Sequence, residues 1–405
     1  MEFFQVKSYS ETLKIIKDTV KNFADRRIIT PIYGAWNKTL AEDIFSKEDL
    51  PDFDKSTVDG YAVKANNTHG ASEAVPALLD LIGVVNMGES FIGEIKNGQT
   101  VYVPTGGKIP NGADSVVMIE NCEVFGNQIA VYKSVAVGAN VIRVGDDVTK
   151  NTLIATTGSV LTPFLIGVLA GLGIDKVSVY DTIKFGIIST GDELVKIEDT
   201  PKNGQIRDIN THCLGALVKA CGGEVVVSSL IKDEYNLLYE SLQKATDICD
   251  VVIISGGSSV GLKDFTYKVI EDICGEVKVK GIAMKPGKPT ILGNKGSVLV
   301  AGLPGHPMAA AMVFEIVIKK AISQIRGEKE KVIAYASARF NFPSTPGRTT
   351  CQLVSINFEN GKPYILPLFA KSGIISALKE ADGYIIIGEN DEGIAEGRMV
   401  KVYGF

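Results

Sequence analysis

Hydrophobic positions near the start of the chain follow a helical period. Four of them lie on one face at intervals of three or four residues: Leu13, Ile16, Val20 and Phe23. This spacing is typical of an amphipathic helix. Ser8 and Glu11 stand just before the stripe with the spacing of a capping box, in which two helix-terminal groups bond each other. The pattern therefore predicts a helix that begins just after Ser8.

The pattern changes to short apolar runs between about Pro51 and Val141. Turn signals separate these runs at Asn97-Gly98, Asn111-Gly112 and Gly126-Asn127. Such spacing predicts a β-rich region. Thr162-Pro163 then indicates a helix start, because proline is favoured at the first helical position. This second helix is predicted to end near Gly173.

From Thr182 onwards, strand-like runs alternate with helical stretches. Strands are predicted at 183–189, 224–230, 251–254, 277–283 and 298–301, and helices at 210–220, 234–248, 265–273 and 308–325. The alternation predicts a mostly parallel sheet covered by helices. From about Lys331 the pattern is β again, and Asn360-Gly361 between two apolar runs predicts a hairpin.

Composition and charge narrow the class of protein. The 405 residues are 45% hydrophobic and 22% charged, which is typical of a globular protein of several domains. The net charge of -5 gives no overall field that would attract nucleic acid or an anionic membrane. We therefore expect neither as a partner, and any bound anion must be held by local donors.

Cysteine usage and the N-terminus favour a cytoplasmic protein. The six cysteines form no CxxC pair, so we expect reduced, partly buried thiols. The first residues lack the basic start and apolar core of a secretory signal. The longest apolar run, Phe164 to Ile174, is too short to span a bilayer.

Four loops follow strands of the predicted α/β region. Each is rich in glycine, proline or polar residues: TGDE at 190–193, SGGSSVG at 255–261, KPGKP at 285–289 and LPGHP at 303–307. Ligands of open α/β sheets bind outside the carboxyl ends of the strands. The sequence therefore predicts that these loops converge on one binding site.

The loops offer groups that suit phosphates and other oxyanions, although each also has a structural interpretation. SGGSSVG either cradles a phosphate or makes a tight turn, and no Walker A lysine follows it. Lys285 and Lys288, on a backbone stiffened by proline, either clamp an oxyanion or face solvent. His306 precedes a helix start and is either a ligand or a structural residue.

Acidic residues near these loops suit a hard cation. Asp192, Glu193, Asp208 and Asp264 are candidate Mg²⁺ ligands beside a phosphate, and each is alternatively a helix cap or a surface charge. Asp59-Gly60 is by default a hairpin turn, and Thr105-Gly106-Gly107 is by default a loop.

Motifs spread over nearly the whole chain resemble one family in order. They are FDKSTVDGYAV at 53–63, PTGGKIPNGADSVV at 104–117, VIRVGDDV at 141–148, STGDEL at 189–194, GQIRDIN at 204–210, SGGSSVGLKDFT at 255–266, MKPGKP at 284–289, LPGHP at 303–307 and SGIISALKEADGY at 372–384. The sequence resembles the molybdopterin molybdenumtransferases, the MoeA and gephyrin E-domain family.

This resemblance implies a multidomain α/β fold. A three-layer α/β domain like the molybdopterin adenylyltransferases is expected at 181–326. A mixed N-terminal domain is expected at 1–48 plus 140–180, a β-rich inserted domain at 49–139 and a C-terminal β-barrel at 327–405. The resemblance also implies a homodimer whose active cleft is shared between subunits, and a molybdopterin adenylyltransferase is a further candidate partner.

The implied reaction inserts molybdenum from molybdate into adenylylated molybdopterin and releases AMP, with Mg²⁺ or a similar divalent cation. Catalytic roles are implied for Asp59, Thr105, Asp147, Asp192, Glu193 and Asp264, the first three reaching in from the partner subunit. Asp192, Glu193 and Asp264 are the implied metal ligands. Substrate binding is implied for Ser255, Gly256, Gly257, Ser258, Lys285, Lys288, Pro304, Gly305, His306, Pro307, Arg348 and Ser372. No protein nucleophile is needed, because the sulfurs of the ligand bind the metal.

Three positions depart from the family pattern. His306 stands where the family usually has asparagine, Ala309 where it has serine, and Leu262 where it has an acid. These departures leave open a tungstate-preferring insertase or a non-catalytic scaffold with the same fold. An adenylyltransferase is less favoured, since the glycine- and threonine-rich loop of those enzymes is absent here.

Overall fold

The computed structural model describes residues 6–256 and 265–405. They pack as two compact units. The larger contains the residues up to Glu42 together with Thr157–Thr162 and Lys176–Phe405, and the smaller contains Asp43–Thr156 and Pro163–Asp175. The finer division into four domains stays a prediction. No helix among the described residues is both long and apolar enough to cross a membrane.

The larger unit begins with the helix predicted from the apolar stripe, α1 (Tyr9–Ala24). Its capping box is confirmed: Ser8 Oγ accepts the Glu11 N–H at 3.2 Å, and Glu11 Oε2 accepts the Ser8 N–H at 2.9 Å. The predicted stripe is the buried face of the helix. Strand β1 (Arg27–Pro31) follows it.

The smaller unit is β-rich, as its turn signals predicted. Its elements are β2 (Ile44–Phe45), β3 (Lys55–Ser56), β4 (Gly60–Val63), β5 (Ala77–Val84), β6 (Gln99–Val103), β7 (Ser115–Met118), β8 (Cys122–Phe125), β9 (Gln128–Val131), β10 (Val141–Ile142), β11 (Leu153–Ala155) and α2 (Pro163–Gly171). Six strands form one sheet in the order β7-β4-β6-β5-β9-β8. Alternate residues of β4 are buried in two separate cores, so both faces of this sheet are covered.

The chain then returns to the larger unit and builds the α/β region. Its elements are β12 (Lys176–Tyr180), β13 (Lys184–Thr190), β14 (Leu194–Val195), β15 (Ile206–Arg207), α3 (Asn210–Ala220), β16 (Glu224–Ile231), α4 (Tyr235–Thr246), β17 (Val251–Ser255), α5 (Phe265–Cys274), β18 (Val277–Lys280), β19 (Met284–Lys285), β20 (Ile291–Lys295), β21 (Val298–Leu303), α6 (Pro307–Val313) and α7 (Lys320–Arg326). The main sheet has the order β16-β13-β17-β21-β20-β18. Helices α3 and α6 pack on one face and α4 and α5 on the other, which confirms the three layers.

One strand of this sheet was not predicted. β20 runs antiparallel to both β21 and β18, whereas the other described pairings in the sheet are parallel. Because β20 returns the chain between them, β18 and β21 point in the same direction. The carboxyl ends of β13, β17, β18 and β21 therefore lie at one edge of the sheet, as predicted for the four loops.

The long closing helix is continuous but not uniform. A π-helical segment, Phe314–Lys319, separates α6 from α7. The Tyr9 hydroxyl donates to the Ile316 carbonyl at 2.7 Å, which satisfies a backbone acceptor within this segment. Gly327 ends the helix in a left-handed conformation with φ of 70°.

The C-terminal region is a closed barrel. Its elements are β22 (Val332–Ala338), β23 (Phe342–Pro343), β24 (Thr349–Glu359), β25 (Lys362–Pro367), α8 (Ser376–Glu380), β26 (Gly383–Ile387), β27 (Gly393–Ile394) and β28 (Met399–Tyr403). The sheet runs β24-β25-β22-β28-β26, and pairing of β26 with β24 closes it. Asn360 and Gly361 join β24 to β25 with φ of 51° and 74°, which confirms the predicted two-residue hairpin.

Candidate oxyanion-binding site

The turn after β17 packs tightly against the turn after β13. Gly256 has φ of +115°, and a Cβ there would lie 2.0 Å from the Thr190 carbonyl oxygen. Only glycine fits such an approach. The tight-turn interpretation of this loop therefore holds at Gly256, while its phosphate-binding role stays a prediction. Gly257, Ser258, Leu262 and Asp264 lie outside the described residues.

Asn210 joins two of the predicted loops and was not among the predicted site residues. Its Nδ2 donates to Ser255 Oγ at 2.6 Å and to the Gly305 carbonyl at 2.9 Å. The residue is 8% exposed, and its Oδ1 has no partner among the described residues. The sequence signal that could have identified Asn210 is its position at the end of the GQIRDIN motif, directly at the start of α3. Asn210 holds the turn after β17 against the turn after β21.

The acidic candidates divide into one buried carboxylate and two exposed ones. Asp208 is buried, and its Oδ1 accepts the Thr211 N–H of the first turn of α3 at 3.1 Å, while Ile209 is the N-cap residue. Asp192 and Glu193 lie exposed in the turn after β13. Asp192 Oδ1 accepts the Asp233 N–H at 3.3 Å. No cluster of three metal-ligating side chains occurs among the described residues, and the third predicted ligand, Asp264, lies outside them.

A cleft of about 930 Å³ lies between the α/β region and the barrel, within the larger unit. It contains six of the predicted substrate-binding residues: Lys285, Lys288, Pro304, His306, Arg348 and Ser372. Strand pairing explains why residues so far apart in sequence meet here. Met284 and Lys285 form β19, which pairs in parallel with Thr349 and Thr350 of β24. The KPGKP loop thereby becomes part of the barrel wall next to Arg348.

The cleft has an excess of positive charge in an acidic chain. Lys285, Lys288, Arg348 and Lys371 line it, and no aspartate or glutamate among the described residues does. None of the four basic groups forms an ion pair with a described carboxylate. Arg348 Nη2 donates to Thr345 Oγ1 at 2.7 Å, but its buried Nε has no described partner. Such a site favours an anion with several acceptor oxygens.

The end of the PGHP loop contacts the barrel. His306 Nδ1 lies 2.8 Å from Ser372 Oγ, and the Met308 N–H donates to the Ser372 carbonyl at 3.2 Å. Pro307 occupies the first helical position of α6, one residue before the predicted start. Ala309 also lines the cleft, where the family pattern has serine.

The cysteine in the cleft wall has a buried, weakly reactive thiol. Cys351 is 7% exposed, and burial raises the pKa of its thiol well above the usual range. A buried thiol with a raised pKa is a poor nucleophile. All six cysteines are free.

The three remaining predicted catalytic residues lie in the smaller unit. The Thr105 N–H donates to Asp59 Oδ1 at 2.8 Å, so two separate motifs meet there. The hairpin interpretation of Asp59-Gly60 is wrong, because the preceding strand β3 pairs with β10, whereas β4, which Gly60 begins, pairs with β6 and β7. A Cβ at Gly60 would lie 2.0 Å from the Val117 carbonyl oxygen. Asp147 occupies another turn, where its N–H donates to the Leu50 carbonyl at 3.1 Å.

Family models match three successive parts of the chain. Residues 7–173 match the MoeA N-terminal region (domains I and II), residues 186–324 a probable molybdopterin binding domain, and residues 335–405 the MoeA C-terminal region (domain IV). These matches define a protein of the molybdopterin biosynthesis class.

Whole-chain relatives agree with these matches. A putative molybdopterin biosynthesis protein of Methanocaldococcus jannaschii is 37% identical over 92% of this chain and 90% of its own length. The molybdopterin molybdenumtransferase of Haemophilus influenzae is 32% identical over 92% of each chain. The molybdopterin biosynthesis MoeA protein of Pyrococcus horikoshii OT3 has a crystal structure that matches with a TM-score of 0.78 at 31% identity, covering 99% of this chain and 100% of that one. The chain belongs to the MoeA family of molybdopterin molybdenumtransferases, which confirms the resemblance and the prediction of an enzyme.

Proposed function

We propose that this protein inserts molybdenum from molybdate into adenylylated molybdopterin and releases AMP. The observation that carries the proposal is the cleft itself, which Lys285, Lys288 and Arg348 line together with no carboxylate from the described part of the chain. Molybdate is a dianion with four acceptor oxygens, which suits these donors. Ser372 adds a hydroxyl, and Pro304, Gly305 and Pro307 shape the wall between the cleft and the sheet edge.

The adenylate and phosphate part of the substrate is proposed to bind at the sheet edge, along Ser255–Ser258. Asn210 supports this assignment, because it fixes Ser255 relative to Gly305, whose neighbours line the cleft. This contact supports a substrate phosphate and an oxyanion bound at neighbouring positions. The protein acts mainly by positioning and by stabilising charge.

A divalent cation such as Mg²⁺ is part of the proposal. Asp192 and Glu193 offer the carboxylate oxygens that Mg²⁺ prefers, and a site of one or two carboxylates completed by substrate phosphates is usual for this ion. They and Asp264 would hold it. When bound, it would polarise the phosphoanhydride. Asp59, Thr105 and Asp147 are proposed to act from the partner subunit of a homodimer.

The test is AMP release from adenylylated molybdopterin with Mg²⁺, measured separately with molybdate and tungstate. We expect AMP and a metal-containing pterin with at least one oxyanion. The ratio of the AMP release rates with molybdate and with tungstate gives the metal preference. This preference is open because Ala309 replaces the serine of the family pattern. No AMP with either oxyanion would overturn the proposed reaction and favour a non-catalytic scaffold.

Light scattering tests the dimer, and a monomeric mass at micromolar concentration would contradict it.

A further inference from the structure

The cleft is larger than a tetrahedral oxyanion requires, and part of its wall is apolar. Its volume of about 930 Å³ is typical of a pocket that holds a drug-sized ligand. Met308 and Leu353 line it and are buried, so they give this part of the wall an apolar surface. An oxyanion held by lysine and arginine side chains would not use such a surface. The cleft therefore has space and an apolar wall for a second, less polar part of the substrate.

Phe369 offers an exposed aromatic ring to that part of the substrate. It is 76% exposed, and it is the one phenylalanine, tyrosine or tryptophan of residues 6–256 and 265–405 that lines the cleft. Covering a phenyl ring with a flat ligand removes apolar area from water and allows ring stacking, so it is favourable. A tetrahedral dianion has no flat apolar face and leaves this ring unused.

Hydrogen bonds on both sides fix the segment that carries Phe369. Just before it, the Leu368 carbonyl accepts Gln352 Nε2 of β24 at 2.9 Å. Just after it, the Ser372 carbonyl accepts the Met308 N–H at 3.2 Å. The backbone at Phe369 is thus tied to the cleft wall before any ligand binds, which lowers the ordering cost of binding.

The chemistry of the proposed substrate identifies the group that would reach Phe369. In adenylylated molybdopterin the two sulfurs lie between the pterin rings on one side and the phosphates and adenosine on the other. With the phosphates at the sheet edge near Ser255 and the oxyanion beside Ser372, the pterin extends from the oxyanion away from the sheet edge. Phe369 precedes Ser372 by three residues, so their backbones are no more than about 11 Å apart. The pterin is therefore the planar group that comes within reach of the phenyl ring.

We propose that Phe369 binds the substrate by stacking its phenyl ring on the pterin rings. The inference deepens the proposed function and rests on it, because it assigns the pterin subsite of the same cleft. No bond forms or breaks at Phe369. The residue contributes to affinity for the pterin and not to affinity for the oxyanion.

Anaerobic titration calorimetry of the full-length protein tests the assignment with three separate ligands: molybdopterin, AMP and molybdate. Replacing a stacked aromatic side chain by alanine weakens the binding of a planar base by roughly 5- to 150-fold. We expect a loss of this size for molybdopterin in Phe369→Ala and no change for AMP or molybdate. Phe369→Trp keeps an aromatic ring and is expected to retain molybdopterin binding, whereas Phe369→Leu keeps only apolar bulk and is expected to retain part of it. Because Phe369 is largely exposed, these variants are expected to fold.

Phe358→Ala is the matched control. Phe358 lies in β24 of the same barrel, is 71% exposed and does not line the cleft, so its loss is expected to leave all three affinities unchanged.

Three results would overturn the inference. One is no molybdopterin binding by the wild type, or equal binding by Phe369→Ala. Another is a loss of AMP affinity in place of molybdopterin affinity, which would assign the adenine to this subsite. The third is an equal loss for all three ligands, which would indicate a distorted cleft. AMP release by the wild type is measured separately, so the proposed reaction can stand when the inference fails. Phe369-dependent molybdopterin binding without AMP release would instead remove the proposed reaction and leave the pterin subsite.

Discussion

Two cavities lie where the barrel meets the α/β region, and both are lined by basic side chains. The cleft that we propose binds the oxyanion is lined by Lys285, Lys288, Arg348 and Lys371 and by no carboxylate of residues 6–256 and 265–405. The second cavity, of about 420 Å³, lies beside the π-helical segment and the barrel residues Tyr384, Tyr403 and Phe405. It contains Lys319, Lys320, Lys329 and Lys331, but also Glu315, Glu328 and Glu330.

In the second cavity two of the four lysines already have a carboxylate partner. Lys319 pairs with Glu315, and Lys320 lies 3.1 Å from Glu330. Lys331 donates to the Phe405 carbonyl. A lysine that already has a carboxylate partner gains little from an added anion, because it must first give up that partner. The comparison supports the proposal that the oxyanion binds where every lining cation lacks a described carboxylate partner, and not wherever lysines gather.

The largest predicted effect is on oxyanion affinity. It tests the difference between lysines of the two cavities. Lys288→Ala removes a charged donor from the cleft, and hydrogen bonds to charged groups contribute about 1.5–3 kcal/mol. We expect molybdate binding, measured by calorimetry, to weaken roughly 10- to 150-fold. Lys320→Ala, in the second cavity, is the matched control and is expected to change affinity less than about twofold. Equal effects of the two variants would show that compensation does not distinguish the cavities.

A second prediction concerns stability in the second cavity. Glu315→Gln removes the charge partner of Lys319, and the glutamate side chain is 5% exposed while the lysine side chain is 27% exposed. Breaking a fully buried pair costs about 3–5 kcal/mol, and the partial exposure of Lys319 reduces the expected loss to about 1–2 kcal/mol. Denaturant unfolding measures it as a lower midpoint at constant slope.

The matched control is Glu330→Gln, whose carboxylate pairs with Lys320 but is 48% exposed. Exposed pairs contribute little, so we expect a change below about 0.5 kcal/mol. Oxyanion affinity is expected to stay unchanged in both variants. A midpoint for Glu315→Gln no lower than that of Glu330→Gln would contradict the structural role assigned to the Glu315–Lys319 pair.

Local sequence signals predicted the elements better than their connections. The capping box at Ser8, the helix start at Pro163 and the Asn360-Gly361 hairpin are all confirmed, because each depends on residues that are close in sequence. The strand at Ile291–Lys295 was not predicted. Its apolar run is short and is followed directly by a turn and the next strand, so no periodicity sets it apart.

The residues of the candidate site were predicted from the loops that contain them. The tertiary contacts that bring those loops together were not predicted. Lys285 and Lys288 were identified from a stiffened basic turn, but the strand pairing of Met284–Lys285 with the barrel has no local signal. Asn210 was missed for a similar reason. An asparagine at a helix start is ordinarily a cap, and only the fold shows that it bonds Ser255 and Gly305 instead.

The smallest predicted effect concerns a neutral hydrogen-bond donor added to the cleft. It tests whether such a donor increases oxyanion affinity where the lining is already rich in positive charge. Ala309 is 3% exposed and lines the cleft from α6, so Ala309→Ser adds the hydroxyl of the family pattern with almost no change in volume. A neutral donor contributes about 0.5–1.5 kcal/mol. We expect molybdate to bind roughly two- to twelvefold more tightly by calorimetry. Ala311→Ser, on the same helix but outside the cleft, is expected to leave affinity unchanged. Unchanged or weaker binding in Ala309→Ser would show that the oxyanion lies out of reach of α6, held by the basic side chains alone.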